Sequence, residues 1–177
     1  NMKKALSALN DARSADWVLL QNETNGALEF VEAAKARGLK IAYSAAPFEE
    51  SVAMRLLPDC DLLIVNEGEA AALALASGKK PEELDLAHLV ITRGSAGADY
   101  FGVGGRFHQS AFTIGPVDTT GAGDCFFGYF LAGIAVGEEI ETTLRVANAA
   151  AALQVTKAGA ATAIPSSADV LAFIENH

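Results

Sequence analysis

The sequence contains few cysteines, few basic residues and no long hydrophobic run, and each of these shortages excludes a class of protein. Its two cysteines among 177 residues have the spacing of neither a metal site nor a disulfide framework, so reduced thiols in the cytoplasm are the simplest interpretation. With 13 basic against 22 acidic side chains the net charge is −9, and we expect no binding to nucleic acid or to an anionic membrane. No apolar run approaches the ~20 residues of a membrane span, and the N-terminus lacks the apolar core of a signal peptide.

The residues that are present favour a folded globular chain. Hydrophobic residues make up 51% and charged residues 20% of the sequence, which is typical of globular and not of disordered proteins. For a chain of 177 residues we predict one domain over residues 1–177, large enough to bury about two-thirds of its unfolded surface.

Short apolar segments alternate with helical ones along the chain, and this alternation predicts the fold class. The apolar segments are hydrophobic on both faces, which is typical of parallel strands covered by helices on each side. We therefore expect a three-layer α/β/α fold with a mostly parallel sheet. Strands are predicted at residues 17–20, 40–43, 61–65, 89–91, 98–101 and 107–111, the last two joined as a hairpin, and helices at 2–14, 26–37, 49–57, 70–76, 122–136, 140–155 and 167–174.

Four polar clusters lie at strand ends or at a turn from strand to helix, and parallel strands place such ends at one edge of the sheet. We expect the clusters to converge there, although each has an ordinary explanation when taken alone. Glu23 alone fits a solvated loop charge, and Asn66 with Glu69 fits a helix N-cap and its capping-box partner. The four clusters are Asn22 with Glu23, Asn66 with Glu69, Thr92 with Gly94 and Ser95, and the segment 118–124.

The last cluster joins a strand end to a long apolar helix and has the character of an anion-binding turn. It contains two glycines and two threonines, with Asp118 at one end and Asp124 at the other. Glycines let backbone N–H groups approach a ligand closely, and the N-terminus of a helix attracts negative charge. Asp124 is then either a helix cap or a base beside a phosphate that is being transferred.

The order of the clusters resembles that of the ribokinase-like carbohydrate kinases, the PfkB family. The string Asp-Thr-Thr-Gly-Ala-Gly-Asp at 118–124 is complete and follows Asn-x-x-Glu at 66–69 and Thr-x-Gly-Ser-x-Gly at 92–97. Gln-Asn-Glu at 21–23 resembles the family's Gln-x-Glu, and the segment 148–160 resembles the nucleotide and cation end of ribokinases. The Gly-x4-Gly-Lys-Ser/Thr pattern of P-loop enzymes is absent.

The resemblance implies ATP-dependent phosphorylation of ribose or a related sugar, with ATP, Mg²⁺ and K⁺ as cofactors. It makes Asp124 the general base that takes the proton of the sugar hydroxyl, and makes Glu23 a further contact to the sugar. The N–H groups implied for the anion hole are those of Gly121, Ala122, Gly123 and Asp124.

The resemblance also implies residues for the nucleotide and the metal ions. Asn66, Thr92, Gly94, Ser95, Gly97 and Asn148 would bind the nucleotide, with Asn148 near the adenine. Glu69 would hold Mg²⁺ through water. The implied monovalent-cation site consists of Asp118 and the backbone of Thr120, Gln154, Lys157 and Gly159.

The sequence also departs from the family pattern. Residues 44–47 read Ser-Ala-Ala-Pro where ribokinases often have Asn-Pro-Ala-Pro, and Ala163 replaces a serine that helps to bind the cation. Nothing matches the family's N-terminal Gly-Gly sugar motif, so the chain resembles only the C-terminal half and is expected to be incomplete at its N-terminus. A truncated, non-catalytic nucleotide-binding or partner-binding domain is the alternative, and a homodimer is possible for the full-length form.

Most of the other cysteine, histidine and arginine side chains near the clusters have ordinary structural explanations. Cys125 at a helix start is expected to be a small buried residue rather than a reactive thiol, and Cys60 to lie in the core. His88 and His108 have no partner at metal or triad spacing and are expected at the surface. Arg93, between two predicted nucleotide residues, could reach a phosphate.

Overall fold

The computed structural model describes residues 2–23 and 25–177 and has the predicted α/β class. Thr24, in the polar segment after the first strand, and Asn1 lie outside the described residues. The strands are β1 (Trp17–Gln21), β2 (Lys40–Ser44), β3 (Leu62–Asn66), β4 (His88–Thr92), β5 (Ala98–Gly102) and β6 (Gly105–Gln109). The α-helices are α1 (Met2–Ala8), α2 (Ala27–Lys35), α3 (Glu50–Leu56), α4 (Glu67–Ser77), α5 (Ala122–Val136), α6 (Ile140–Gln154) and α7 (Ser167–Glu175).

The six strands form one sheet in the order β1-β2-β3-β4-β5-β6. β1 and β2 run parallel with Trp17 opposite Lys40, and β2 and β3 run parallel with Ala42 opposite Leu62. β5 and β6 are joined by only two residues, a connection that suits antiparallel strands and not parallel ones. The sheet is therefore mixed and mostly parallel, as predicted.

The chain divides into two compact units, which we call unit 1 (residues 1–91 and 101–103) and unit 2 (residues 92–100 and 104–177). In unit 1, β2 and β3 are buried on both faces, which explains why these segments are continuously apolar. The core around them includes Val31, Ile41, Tyr43, Leu56, Leu63 and Leu73.

Unit 2 has helices α5 and α6 at its centre, and they pack closely at one point. An added Cβ on Gly133 of α5 would lie 2.6 Å from Thr143 Oγ1 of α6, so only glycine fits there without movement. Tyr100, Phe126, Phe127 and Phe130 form an aromatic part of the core and are at most 3% exposed. The two helices therefore approach each other closely at Gly133, whereas the large side chains of α5 are buried at other positions along the helix.

Each unit buries one of the two cysteines, and both thiols are free. Burial raises the pKa of Cys60 to about 12 and that of Cys125 to about 11. The predictions that Cys60 is a core residue and that Cys125 is small and buried are confirmed.

Several predicted element boundaries were wrong, and each error has a local cause. The first α-helix ends at Ala8 and not at residue 14, because the chain tightens into a 3₁₀ turn at Leu9–Asp11. Helix α4 begins at Glu67 and not at residue 70, because Asn66 caps it. The hairpin turn comprises only residues 103–104, whereas the sequence predicted five connecting residues. Within the described part of the chain, no helix is both long and apolar enough to cross a membrane.

The close contact between α5 and α6 predicts opposite effects for two glycine substitutions on one helix. Gly133→Ala should lower the free energy of unfolding by about 1–3 kcal/mol, because the methyl group overpacks against Thr143. Gly128→Ala is the matched control, since an added Cβ there meets nothing within 4 Å and should raise stability by about 0.5–1 kcal/mol. Urea denaturation followed by circular dichroism measures both, and equal stability of the two variants would contradict the close contact.

Candidate functional site

Unit 2 contains a cavity of about 450 Å³ that gathers most of the predicted nucleotide residues. This volume is within the usual range for a site that holds a small molecule or cofactor. The polar positions in its wall are Thr92, Gly94, Ser95, Gly97, Thr113, Thr119, Gly123 and Asn148. The apolar wall is formed by Ala111, Phe112, Ile114, Pro116, Ala122, Phe126, Ala151, Ala152 and Val155. The cavity therefore offers apolar surface for a flat ring together with several hydrogen-bonding groups.

The loop after β4 has a conformation that depends on glycine. Gly97 has φ +101°, and an added Cβ would lie 2.0 Å from the Gln109 carbonyl oxygen. The loop is closed by a hydrogen bond from the Arg93 N–H to the Gly97 carbonyl, 2.7 Å long. The predicted nucleotide glycine at 97 is therefore also required for the backbone to pass close to β6.

Asn148 presents one particular end of its amide to the cavity. Its side chain is only 7% exposed and lies on α6. The Nδ2 group donates to the Leu144 carbonyl one turn earlier, at 3.0 Å. Because a carbonyl can only accept, this bond fixes the orientation of the amide and leaves Oδ1, an acceptor, for a ligand.

The turn at 118–124 is held by the carboxylate of Asp118. Oδ1 accepts the Thr120 N–H at 2.9 Å, and Oδ2 accepts the Gly159 N–H at 3.0 Å. These N–H groups, that of Gly159 first, lower the pKa of Asp118 to about 2. The N–H groups of Val117 and Asp118 both donate to the Val155 carbonyl, at 2.7 and 3.1 Å. Asp118 therefore connects the turn to the chain that follows α6.

The predicted anion hole forms the start of α5. Gly121 has φ +77°, a left-handed conformation, and precedes the first helical residue, Ala122. The Ala122 N–H donates to the Thr119 carbonyl at 3.3 Å, and the next N–H groups belong to a first helical turn, where helix N–H groups have no partner within the helix. Asp124 is exposed in this turn. The N-terminus of a helix attracts an anion, and the cap residue Gly121 has no side chain that could occupy that place.

The residues predicted to hold a monovalent cation bond mainly to one another. Gln154 is fully buried, and its Nε2 donates to the carbonyls of Thr120, at 3.0 Å, and of Ala160, at 3.4 Å. Its Oε1 is buried without a partner among the described residues. Lys157 is exposed, and its backbone N–H donates a hydrogen bond to the Gln154 carbonyl at 3.1 Å. The Asp118 and Thr120 oxygens that a cation would use already accept hydrogen bonds, and the Gln154 amide hydrogens at the Thr120 carbonyl would compete with a cation there.

In unit 1, Asn66 and Glu69 form a capping box at the start of α4. The Glu69 N–H donates to Asn66 Oδ1 at 2.9 Å, and the Asn66 N–H donates to Glu69 Oε2 at 2.8 Å. Burial raises the pKa of Glu69, and the Asn66 N–H offsets part of this effect. The second oxygen of Glu69 suits the oxygen-rich, largely water-bound coordination that Mg²⁺ prefers. The described residues contain no cluster of three metal-ligating side chains, so Glu69 could reach Mg²⁺ only with water or phosphate as the other ligands.

The predicted sugar contact, Glu23, is exposed. Its neighbour Asn22 connects the end of β1 to the loop that follows β2. The Asn22 N–H donates to the Ala46 carbonyl at 3.0 Å, and its Nδ2 donates to the Pro47 carbonyl at 2.9 Å. Its Oδ1 accepts from the Tyr43 hydroxyl at 2.8 Å. Burial raises the pKa of Tyr43 to about 12, so this hydroxyl remains a donor at neutral pH.

His108 is exposed, as predicted, and belongs to a polar network in unit 2 that the sequence analysis did not predict. His108 Nδ1 lies 2.6 Å from Asp99 Oδ1, and Arg93 Nε lies 2.5 Å from Asp99 Oδ2. Burial alone would raise the pKa of Asp99, but the bonds from His108 and Arg93 outweigh it and lower the pKa. A two-residue turn at 103–104 places position 99 opposite position 108, so the correct hairpin register would have revealed the pair. The expectation that Arg93 reaches a phosphate remains a prediction.

The lowered pKa of Asp118 predicts a pH-dependent effect of Asp118→Asn on stability. A lowered folded pKa stabilises the protein above the unfolded pKa, near 3.8, and this stability is lost as pH falls towards about 2. The variant should therefore have a lower Tm than wild type at pH 7, and the difference should shrink between about pH 4 and pH 2. The exposed Asp85→Asn is the control. A Tm difference that is constant across this range would contradict the role of the carboxylate.

Comparison with known proteins shows that the chain is similar to ribokinases. A ribokinase of Bacillus subtilis is 34% identical over 170 residues, which cover 94% of this chain and 57% of that protein. The structure of an Arabidopsis thaliana ribokinase complexed with ribose and ATP matches with a TM-score of 0.81 and 28% identity, covering 97% of this chain and 59% of the other. A putative ribokinase II from E. coli in complex with ATP and Mg²⁺ matches with a TM-score of 0.81 and 25% identity, covering 97% and 61%.

The chain spans a little over half the length of the curated relatives that it matches, 57% in the case of the Bacillus subtilis protein. The profile of the pfkB family carbohydrate kinases matches residues 12–167, which is most of the chain. The chain therefore belongs to the pfkB family of carbohydrate kinases.

Proposed function

We propose that this chain carries the nucleotide-binding and catalytic-base part of an ATP-dependent sugar kinase. The observation that carries the proposal is the position of Gly123 in the wall of the unit 2 cavity, directly before Asp124 at the start of α5. This arrangement combines a nucleotide-sized cavity, an anion-attracting helix start and an exposed carboxylate. The substrate is a sugar such as ribose, since ribokinases are among the relatives.

The cavity supports a particular orientation of ATP. Its apolar wall suits the purine ring, and Asn148 Oδ1 would accept a hydrogen bond from the amino group of adenine. Thr92, Gly94, Ser95 and Gly97 would line the rest of the nucleotide. The γ-phosphate would then lie at the N–H groups of Gly121, Ala122, Gly123 and Asp124.

In the proposed reaction Asp124 removes the proton from a sugar hydroxyl as that oxygen attacks the γ-phosphorus atom. The new bond joins the sugar oxygen to phosphorus, the bond between the γ-phosphorus and the β,γ-bridging oxygen breaks, and ADP leaves with its electron pair. The N–H groups of the anion hole stabilise the charge on the transferred phosphoryl group. Mg²⁺ would neutralise charge on the phosphates, with Glu69 reaching it through water.

We propose further, from the resemblance, that Glu23 contacts the sugar, that Asn66 binds phosphate and that the full-length form is a homodimer. A cytoplasmic location, which the small number of cysteines predicts, is also a proposal. The K⁺ site at Asp118 and the backbone of Thr120, Gln154, Lys157 and Gly159 stays a prediction, and the hydrogen bonds of the Gln154 side chain would compete with a cation there.

A second candidate function is a nucleotide-binding or partner-binding domain without catalytic activity. The chain corresponds to 57% of the Bacillus subtilis relative, and residues for the sugar are expected largely in the remainder. Calorimetric titration with ATP and Mg²⁺, combined with an ADP-release assay on a panel of sugars, separates the two. Binding without turnover on any sugar supports the second function, and turnover by the 177-residue chain excludes it.

The role of Asp124 as a base predicts a loss of rate without a loss of nucleotide binding. Asp124→Asn should lower kcat by about 10²–10⁴, since general-base catalysis typically contributes this much. The Kd for ATP should change little, because the backbone N–H groups remain. ADP release and calorimetry measure the two effects, with Asp85→Asn as a control of equal charge change. A variant that turns over as fast as wild type would exclude Asp124 as the base.

A further inference from the structure

The amide of Gln154 joins two separate segments of the chain. It comes from the last residue of α6 and is fully buried. Its Nε2 lies 3.0 Å from the carbonyl oxygen of Thr120 in the anion-binding turn and 3.4 Å from that of Ala160 in the segment after α6. A single NH₂ group thus supplies two hydrogens to two carbonyl oxygens from separate segments.

The same amide packs directly against the glycine that begins the anion hole. An added Cβ on Gly121 would lie 2.8 Å from Gln154 Nε2 and 3.3 Å from the Ala160 side chain. Gly121 has φ +77°, so its conformation also favours glycine. Gln154 is therefore in contact with the backbone whose N–H groups would face the phosphate.

The polar groups around the Gln154 amide accept hydrogen bonds, apart from its own Oε1, which is buried without a partner among the described residues. The two carboxylate oxygens of Asp118 accept the N–H groups of Thr120 and Gly159. Ala163 is 2% exposed and has no side-chain oxygen to offer. A cation at the Thr120 carbonyl would meet the positive end of the Gln154 amide, and electrostatic repulsion would oppose its binding.

We infer that Gln154 is a positioning residue of the anion-binding turn and takes the place of a monovalent cation there. Its two hydrogen bonds join Thr120 to Ala160, so the turn keeps its shape without K⁺. The consequence for nucleotide binding rests on the proposed function, whereas the consequence for the turn itself does not.

The test compares the stability of the wild-type chain and of Gln154→Glu in KCl and in choline chloride at equal ionic strength. Wild type should have the same Tm in both salts. Gln154→Glu removes the NH₂ group and places a carboxylate beside the two carbonyls, so it creates a set of oxygens that attracts a cation. Its Tm should therefore be lower than that of wild type in choline and should rise by at least roughly 3 °C in KCl.

Two further variants make the comparison decisive. Gln109→Glu introduces the same change at a partly buried glutamine whose Nε2 bonds only to the adjacent Ser110 carbonyl, and its Tm should not respond to K⁺ specifically. Gln154→Ala leaves both carbonyls without their donor and should also gain a rise in Tm in KCl, which keeps the test available if Gln154→Glu does not fold.

A second measurement is the Kd for ATP with Mg²⁺ in each salt, by calorimetry. Wild type should show a ratio of Kd values near 1, and Gln154→Glu or Gln154→Ala should bind ATP several-fold more tightly in KCl. A wild-type chain that is stabilised by K⁺, or that binds ATP several-fold more tightly with it, would overturn the inference. So would Gln154 variants that fold and show no response to K⁺. If wild type binds no ATP in either salt, the proposed function fails, and the Tm comparison still decides the role of Gln154.

Discussion

Two buried or partly buried side chains, Asp118 and Gln154, hold the turn before α5, and the proposed anion site depends on that anchoring. A turn with Gly121 and Gly123 loses much conformational entropy when it becomes ordered. The carboxylate of Asp118 compensates by accepting two backbone N–H groups, and the amide of Gln154 does so by donating to two backbone carbonyls. Hydrogen bonds thus fix the turn both through its backbone N–H groups and through its backbone carbonyls.

Helix α6 contributes one side-chain amide to the wall of the unit 2 cavity and another to the turn before α5. Hydrogen bonds to backbone carbonyls fix the orientation of both amides. Asn148 is oriented by the Leu144 carbonyl and Gln154 by the Thr120 and Ala160 carbonyls. Functional groups on a helix are held more rigidly than groups on loops. The Oε1 atom of Gln154 is buried and has no hydrogen-bond partner among the described residues, so the two bonds of its NH₂ group are the ones that hold the amide in place.

Much of this arrangement could be predicted from the sequence, since the relevant signals are local. Helix α5 has the predicted ends because Gly121 and Gly137 adopt left-handed conformations on either side of it. Strand ends and glycine-rich turns indicate ligand sites in α/β folds, and most of the residues predicted to bind the nucleotide line one cavity, namely Thr92, Gly94, Ser95, Gly97 and Asn148.

The remaining features depend on contacts between distant residues or on a choice between two local structures. The contact of Gln154 with Thr120 spans 34 positions, and no periodicity encodes it. The Asp99–His108 pair depends on the hairpin register. The predicted turn was three residues longer than the observed one, so it did not place these two residues opposite each other. Asn66 and Glu69 fit both a cap and a phosphate site, and the structure shows the cap.

The placement of one cysteine in the core of each unit gives the chain two internal reporters of local opening. Cys60 belongs to unit 1 and Cys125 to unit 2, and both are at most 8% exposed. Alkylating reagents react with the exposed thiolate, so each cysteine becomes reactive only when its own unit opens. Mass spectrometry of the two peptides after a brief alkylation pulse would therefore follow the opening of each unit separately in the unmodified chain, with no engineered label.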